Sequence, residues 1–291
     1  MWRFWRRLSR AVKSAAIEAN EHHNHRGLRW TPVRSLCLTV AFAKACLGLG
    51  LVAAMLAGCS SGALDGLPQG REGLVTAVLS GDTIALDGSE TVKLAGIAAP
   101  MGDAPYADAA RDVLDRLVRG RRVVLFFGGA RKDALGRTVA QVQDAETRRW
   151  IEGALLDAGA ARVRTSVDDR TPAAPMLARE AAARGARRGL WTIPMYEVRL
   201  PAELGYDDGG FTVLEGRAVR VGEGRGAVYV DFSEDWRSAV SLSIPAAALR
   251  DFRTAGLDVF GLQGRLIRVR GVLRNNRLTV DHPEQIEALP G

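Results

Sequence analysis

Apolar residues at Leu74, Val75, Ala77, Val78 and Leu79 make residues 72–80 a predicted strand. Gly81-Asp82 reads as a turn, 83–86 as a second strand, Asp87-Gly88 as a hairpin and 91–97 as a third strand. Ala110, Val113, Leu114, Leu117 and Val118 then recur at the helical period, so 107–118 is a helix. Strands are predicted at 122–127 and 137–142, and helices at 150–158 and 172–187. After a loose joint at 196–210 the pattern restarts, with strands at 211–221, 227–232 and 239–244. A helix at 246–254 and strands at 266–273 and 277–280 complete it, with a glycine turn at 222–226. That turn lacks the Lys-Ser/Thr of a P-loop and the βαβ setting of a dinucleotide site. The predicted class is mainly β with α (α+β): two small OB-like five-stranded barrels, the first with flanking helices. The predicted divisions are 1–58, a tether at 59–71, a first domain at 72–195, a linker at 196–210 and a second domain at 211–291.

Charge adds less than its total suggests. The formal net charge is +7, yet residues 1–58 hold nine Lys or Arg and two acids, leaving 31 of each sign in the remainder. The overall electrostatic signature of a polyanion-binding protein is therefore missing from the folded part. Residues 35–58 are mostly apolar and end in Leu56-Ala57-Gly58-Cys59, with Arg34 and Lys44 on the amino side, the layout of an export signal. The ending resembles a bacterial lipobox, which implies cleavage before Cys59, lipidation of Cys59 and a membrane-anchored, exported protein facing the periplasm. An uncleaved membrane helix is the alternative, shortened by Lys44. Trp2, Phe4, Trp5, Leu8, Val12 and Ala16 fall near helical spacing among basic residues, as in a membrane-surface helix, unless translation starts later, near Val33. His22, His23 and His25 form the only histidine cluster. With Cys37 and Cys46 ahead of the cut and Cys59 lipidated, no thiol remains for a disulfide partner. The single later histidine, His282, is read as excluding Ser–His–Asp, Cys–His and multi-His metal sites, and is expected to pack at a strand end.

Gly81-Asp82-Thr83-Ile84, the run 92–97 leading into Ala98-Ala99-Pro100, Asp133-Ala134-Leu135-Gly136-Arg137 and Arg187-Arg188-Gly189-Leu190-Trp191 come in a distinctive order. Together they resemble the staphylococcal-nuclease-like (thermonuclease) family of phosphodiesterases. The resemblance implies a nuclease site of metal-binding carboxylates, two arginines and a general-base Glu, working with calcium on DNA or RNA. Asp82 matches a metal-binding Asp, Lys93 stands at the first arginine and Arg137 matches the second. Ala98 stands where a second metal-binding Asp is usual, Met101 where the base is expected, and Leu135 where an aromatic is common. Met cannot move a proton, and one carboxylate is a poor start toward the six to eight oxygens calcium takes. Asp103, two residues past Met101, is the candidate substitute carboxylate, with Asp108 beyond it; both also suit turn and helix-start positions. Trp191 is expected to anchor the last helix in the core.

In the second domain, Tyr229 and Asp231 share one strand face, and Arg268 and Arg270 share another, with Arg265, Arg274 and Arg277 nearby. Aromatics beside arginines suit single-stranded nucleic acid; a solvated face of Arg–carboxylate pairs is the alternative. Residues 281–287, Asp-His-Pro-Glu-Gln-Ile-Glu, resemble tails appended to bacterial thermonuclease-like proteins. Three functions follow: a non-catalytic module binding nucleic acid, another anionic ligand or an envelope protein; a calcium-dependent nuclease using Asp82, Lys93, Arg137 and a relocated carboxylate; and a structural envelope lipoprotein.

Overall fold

Residue 69 opens a strand that changes partners halfway along. In a computed structural model describing residues 62–205, 208–235 and 240–290, strand β1 (Gln69–Ser80) pairs through its first half with β5 (Arg122–Phe126). Its second half pairs with β2 (Thr83–Leu86), through two register irregularities that bend the strand. Strand β2 continues antiparallel to β3 (Glu90–Leu94), β3 runs parallel to β6 (Thr138–Asp144), and β6 returns antiparallel to β5, closing the barrel β1-β2-β3-β6-β5. Helix α1 (Ala107–Val118) crosses between β3 and β5 and sends Ala110, Leu114 and Val118 into the core. Helix α2 (Ile151–Asp157) adds Ile151, Leu155 and Leu156. A short ladder joins β4 (Ile97–Ala98) to β7 (Arg162–Val163), and α3 (Ala173–Gly185) follows.

The second barrel repeats the order. Strands β8 (Gly210–Arg217) and β9 (Arg220–Gly224) take the place of one bent strand: β8 pairs with β12 (Leu266–Arg274) and β9 with β10 (Ala227–Asp231). The predicted single strand at 211–221 thus breaks at Ala218-Val219, where the Ala218 N–H bonds Arg265 O and the Val219 N–H bonds Asp231 O. Strand β10 pairs with β11 (Ser241–Pro245), β11 runs parallel to β13 (Arg277–Thr279), and β13 pairs with β12. Helix α4 (Leu249–Thr254) crosses in the same position as α1 and buries Phe252. A seventh strand, β14 (Ile286–Ala288), lies on β12 within the terminal run.

Three local expectations need correction. Residues 69–71, read from composition as tether, belong to β1, and Leu64 ahead of them is buried in the first core. The glycine turn is shorter than 222–226: Gly222 and Gly224 are in β9, and the reversal is Arg225-Gly226, with φ of 48° and 78°. Both values are positive, as a two-residue hairpin turn requires, and Asn275-Asn276 does the same between β12 and β13. His282 is buried as expected, but one ring nitrogen lies 2.7 Å from Thr165 Oγ1 and the other 2.6 Å from Asp281 Oδ1. A single histidine is therefore enough to align hydroxyl, imidazole and carboxylate, and counting histidines does not exclude that arrangement. Here it bolts the terminal run to the first barrel's 164–171 loop.

Further bonds fasten the barrels. Arg270 of β12, 1% exposed, donates to Glu180 of α3 at 2.7 Å and to Glu287 of β14 at 2.5 Å. The second Glu180 oxygen accepts the Val163 N–H at 2.7 Å. Trp191 packs with Ala183, Leu190 and Tyr196 in a small cluster against α3, as its expected anchoring role requires. The front-end features, including the 35–58 segment, Cys59 and the His22–His25 cluster, lie outside the described residues, as do Trp236 and Arg237 of the aromatic and acidic stretch that starts at Tyr229. Among the described residues no helix is long and apolar enough to cross a membrane.

Candidate functional site

Gly81 sets the position of Asp82. A side chain at Gly81 would meet Ala99 Cβ at 2.7 Å and Ala110 Cβ at 2.8 Å, so only glycine lets this turn press against α1. Asp82 is then 1% exposed, and both its oxygens are engaged. Oδ1 accepts the Ser80 hydroxyl at 3.1 Å and the Thr83 hydroxyl at 3.0 Å. Oδ2 accepts the Ala99 N–H at 2.9 Å and lies 3.1 Å from Lys93 Nζ. Burial pushes the Asp82 carboxyl upward, but the Lys93 charge, the Ala99 N–H and the Ser80 hydroxyl outweigh it and hold the group below the ordinary carboxylate range. Lys93 points inward from β3, where its cross-strand partner is Thr83. It also donates to Leu94 O at 3.0 Å and Ile97 O at 2.8 Å. Burial lowers the ammonium's pKa, opposed by Asp82.

Arg137 is held by its own loop. Asp133 Oδ1 accepts the N–H groups of Leu135 and Arg137, and Oδ2 accepts Arg137 Nε at 2.7 Å with Nη2 also at 2.7 Å. The guanidinium fork that would take a phosphate therefore already grips a carboxylate. Leu135 at the loop tip is 77% exposed, and Met101 is 60% exposed. Asp103 is also exposed and has no ion pair among the described residues. Among the described residues Asp108 pairs only with Arg111, one turn along α1. The fold thus brings Asp82 and Lys93 together, while Arg137 is engaged by Asp133 and no contact links Asp103 to Asp82.

No local pattern announces two buried acids near Lys93. Glu152 of α2 accepts the Val142 N–H with both oxygens at 3.0 Å, and burial pushes its carboxyl up to about 8. Asp169 is pushed up to about 6 by burial, against the pull of Lys93. Both partners are distant backbone or charge, which no spacing in the chain encodes. Only the inward helical position of Glu152 beside Leu155 and Leu156 carries a trace.

This donor set does not fit calcium. Asp82 offers no unengaged oxygen, its nearest cation is an ammonium, and Ala98 supplies no side-chain ligand. Among the described residues no group of three or more His, Cys, Asp or Glu is arranged to hold a metal ion. In the second barrel, Arg268 pairs with Glu215 at 2.7 Å and Arg270 with Glu180 and Glu287, so the Arg268–Arg270 face serves ion pairs.

No curated protein matches the chain. The family model described as Staphylococcal nuclease homologue matches residues 91–193, from β3 through Trp191, a span that contains Lys93, Ala98, Met101 and Arg137 and begins after Asp82. The chain carries a staphylococcal nuclease homologue domain at residues 91–193, inside a larger two-barrel unit.

Proposed function

We propose that the protein is a nucleic-acid-binding relative of the nucleases that does not cut. One observation carries this reading: both oxygens of Asp82 are engaged by Lys93, Ser80, Thr83 and the Ala99 N–H. Phosphodiester hydrolysis needs an activated water and relief of charge on the phosphate. Met101 offers no base, and the Arg137 fork is bound to Asp133. The Leu-Ala-Gly-Cys ending at Cys59 supports export and lipid anchoring, which puts the barrels on the outer side of a membrane. Loss of fatty-acid labelling in Cys59→Ser is the expected check on that part.

The decisive assay incubates the purified protein with single-stranded DNA and RNA, with calcium and with chelator. Retention without cleavage is the expected result. Chelator-sensitive cleavage that disappears in Asp103→Asn would instead establish a working nuclease with a relocated carboxylate. Absence of both binding and cleavage would leave a structural envelope protein.

A further inference from the structure

The outward face of the second barrel has the parts of a base-stacking platform, and its strand register arranges them in rows. Arg220 of β9, Asp231 of β10, Ser241 of β11 and Arg277 of β13 stand opposite one another across four strands. One step along lie Gly222, Tyr229, Ser243 and Thr279. Val228 and Val230 point the other way, into the core, so the register of the face is fixed by burial. Tyr229 is the one large ring in the two rows, and its strand neighbour is glycine. A Cβ at Gly222 would meet nothing within 4 Å, and one at Gly224 would lie 3.7 Å from the Tyr229 ring. The missing side chains leave a slot beside the ring with a flat backbone floor.

Cations border the slot. The Arg277 guanidinium lies 5.2 Å from the Tyr229 ring centroid, and Arg225 projects from the adjoining hairpin turn. Neither has an ion pair among the described residues. Of the two acids lining the groove, Asp231 is neutralised by Arg220 at 2.7 Å, leaving Glu223 against Arg225 and Arg277. The groove has a volume of about 550 Å³, and its lining includes Arg225 of one positive-φ turn and Arg277, the residue that follows the Asn275-Asn276 turn.

We propose that this groove binds single-stranded nucleic acid, with a base stacked on Tyr229 beside Gly222 and the flanking phosphates on Arg225 and Arg277. A planar ring fits the glycine slot, and stacking tolerates any base because each has a π-face. A duplex keeps its bases stacked on each other and out of reach of Tyr229. An acidic polysaccharide could use the arginines but has no aromatic ring to stack in the slot. The inference rests on the non-cutting, nucleic-acid-binding reading above and adds the place and strandedness.

The test is fluorescence anisotropy of a labelled oligothymidylate and of a matching duplex, with the intact protein in chelator. Tyr229→Ala is expected to weaken single-strand binding about tenfold or more, with Tyr229→Phe close to the parent. Arg225→Ala with Arg277→Ala is expected to flatten the salt dependence by roughly 1.4 in log–log slope, about 0.7 for each phosphate no longer neutralised. Unchanged melting of each variant secures the comparison. Tight parental binding that ignores all these substitutions would overturn the site and leave the broader reading standing. Equal binding of duplex or of polygalacturonate overturns the stacking assignment. No binding by the parent removes both readings, whereas cleavage once calcium is restored removes only the non-cutting one.

Discussion

Lys93 donates in three directions, to Asp82, Leu94 O and Ile97 O, which accounts for every proton on its ammonium. Asp82→Asn leaves that cation buried against carbonyls alone, and the expected loss is about 3 kcal/mol or more in denaturant unfolding. Lys93→Met combined with Asp82→Asn should recover part of it, which a double-mutant cycle reads directly. Glu152 gives a prediction in pH. Its carboxyl releases its proton near 4.5 in the unfolded chain and near 8 when folded. Between those values the folded state holds the extra proton, so stability falls as pH rises through the window. Glu152→Gln removes that slope, and its gain over the parent should grow by ~3 kcal/mol between pH 4.5 and pH 7, measured by urea unfolding at each pH. The turn at Asp82, the strand position of Lys93 and the loop ahead of Arg137 are legible in the sequence from their turn and strand patterns. Their present partners are not, since Asp133 captures Arg137 through backbone folding of one loop and Glu152 meets a strand ten residues away.

Among the elements, the strands and helices of both barrels stand out in the sequence because each core position repeats at its own period. The breaks do not. Strand β1 extends back over a polar, glycine-containing stretch because its first half is held by hydrogen bonds to β5 and not by side-chain burial alone. The kink between β8 and β9 falls at Ala218, whose carbonyl and N–H bond the Gly264–Arg265 turn, a partner 46 residues away. The short ladder β4–β7 has two residues on each side and no pattern to find. Gly189 is marked in the sequence by its place before Leu190-Trp191, and the fold supplies its reason. Its φ is +56°, and a Cβ there would sit 2.3 Å from Gly159 O, where α2 ends against the Trp191 turn. Gly189→Ala should therefore cost ~2 kcal/mol or more and lower the melting temperature, whereas the exposed Gly185→Ala, with no atom within 4 Å, should leave it unchanged or raise it slightly.

At the scale of the whole molecule the two barrels share a seam that composition conceals. The remainder beyond residue 58 balances 31 cations against 31 acids. Several of those charges face one another between the barrels, with Arg270 at the centre. Glu180→Gln deprives that buried guanidinium of a counter-charge, and an expected loss of roughly 3 kcal/mol should show in calorimetry as earlier melting of both barrels. Residues 281–287 stand in the sequence as a tail without an evident role. They supply the imidazole that meets Thr165, the carboxylate that meets Arg270 and the edge strand on β12. Residues 281–287 thus complete contacts with a barrel whose residues lie more than a hundred positions earlier. An interruption just before residue 281 would leave Thr165 without its imidazole partner and Arg270 without Glu287, so damage there is felt upstream as well as where it occurs.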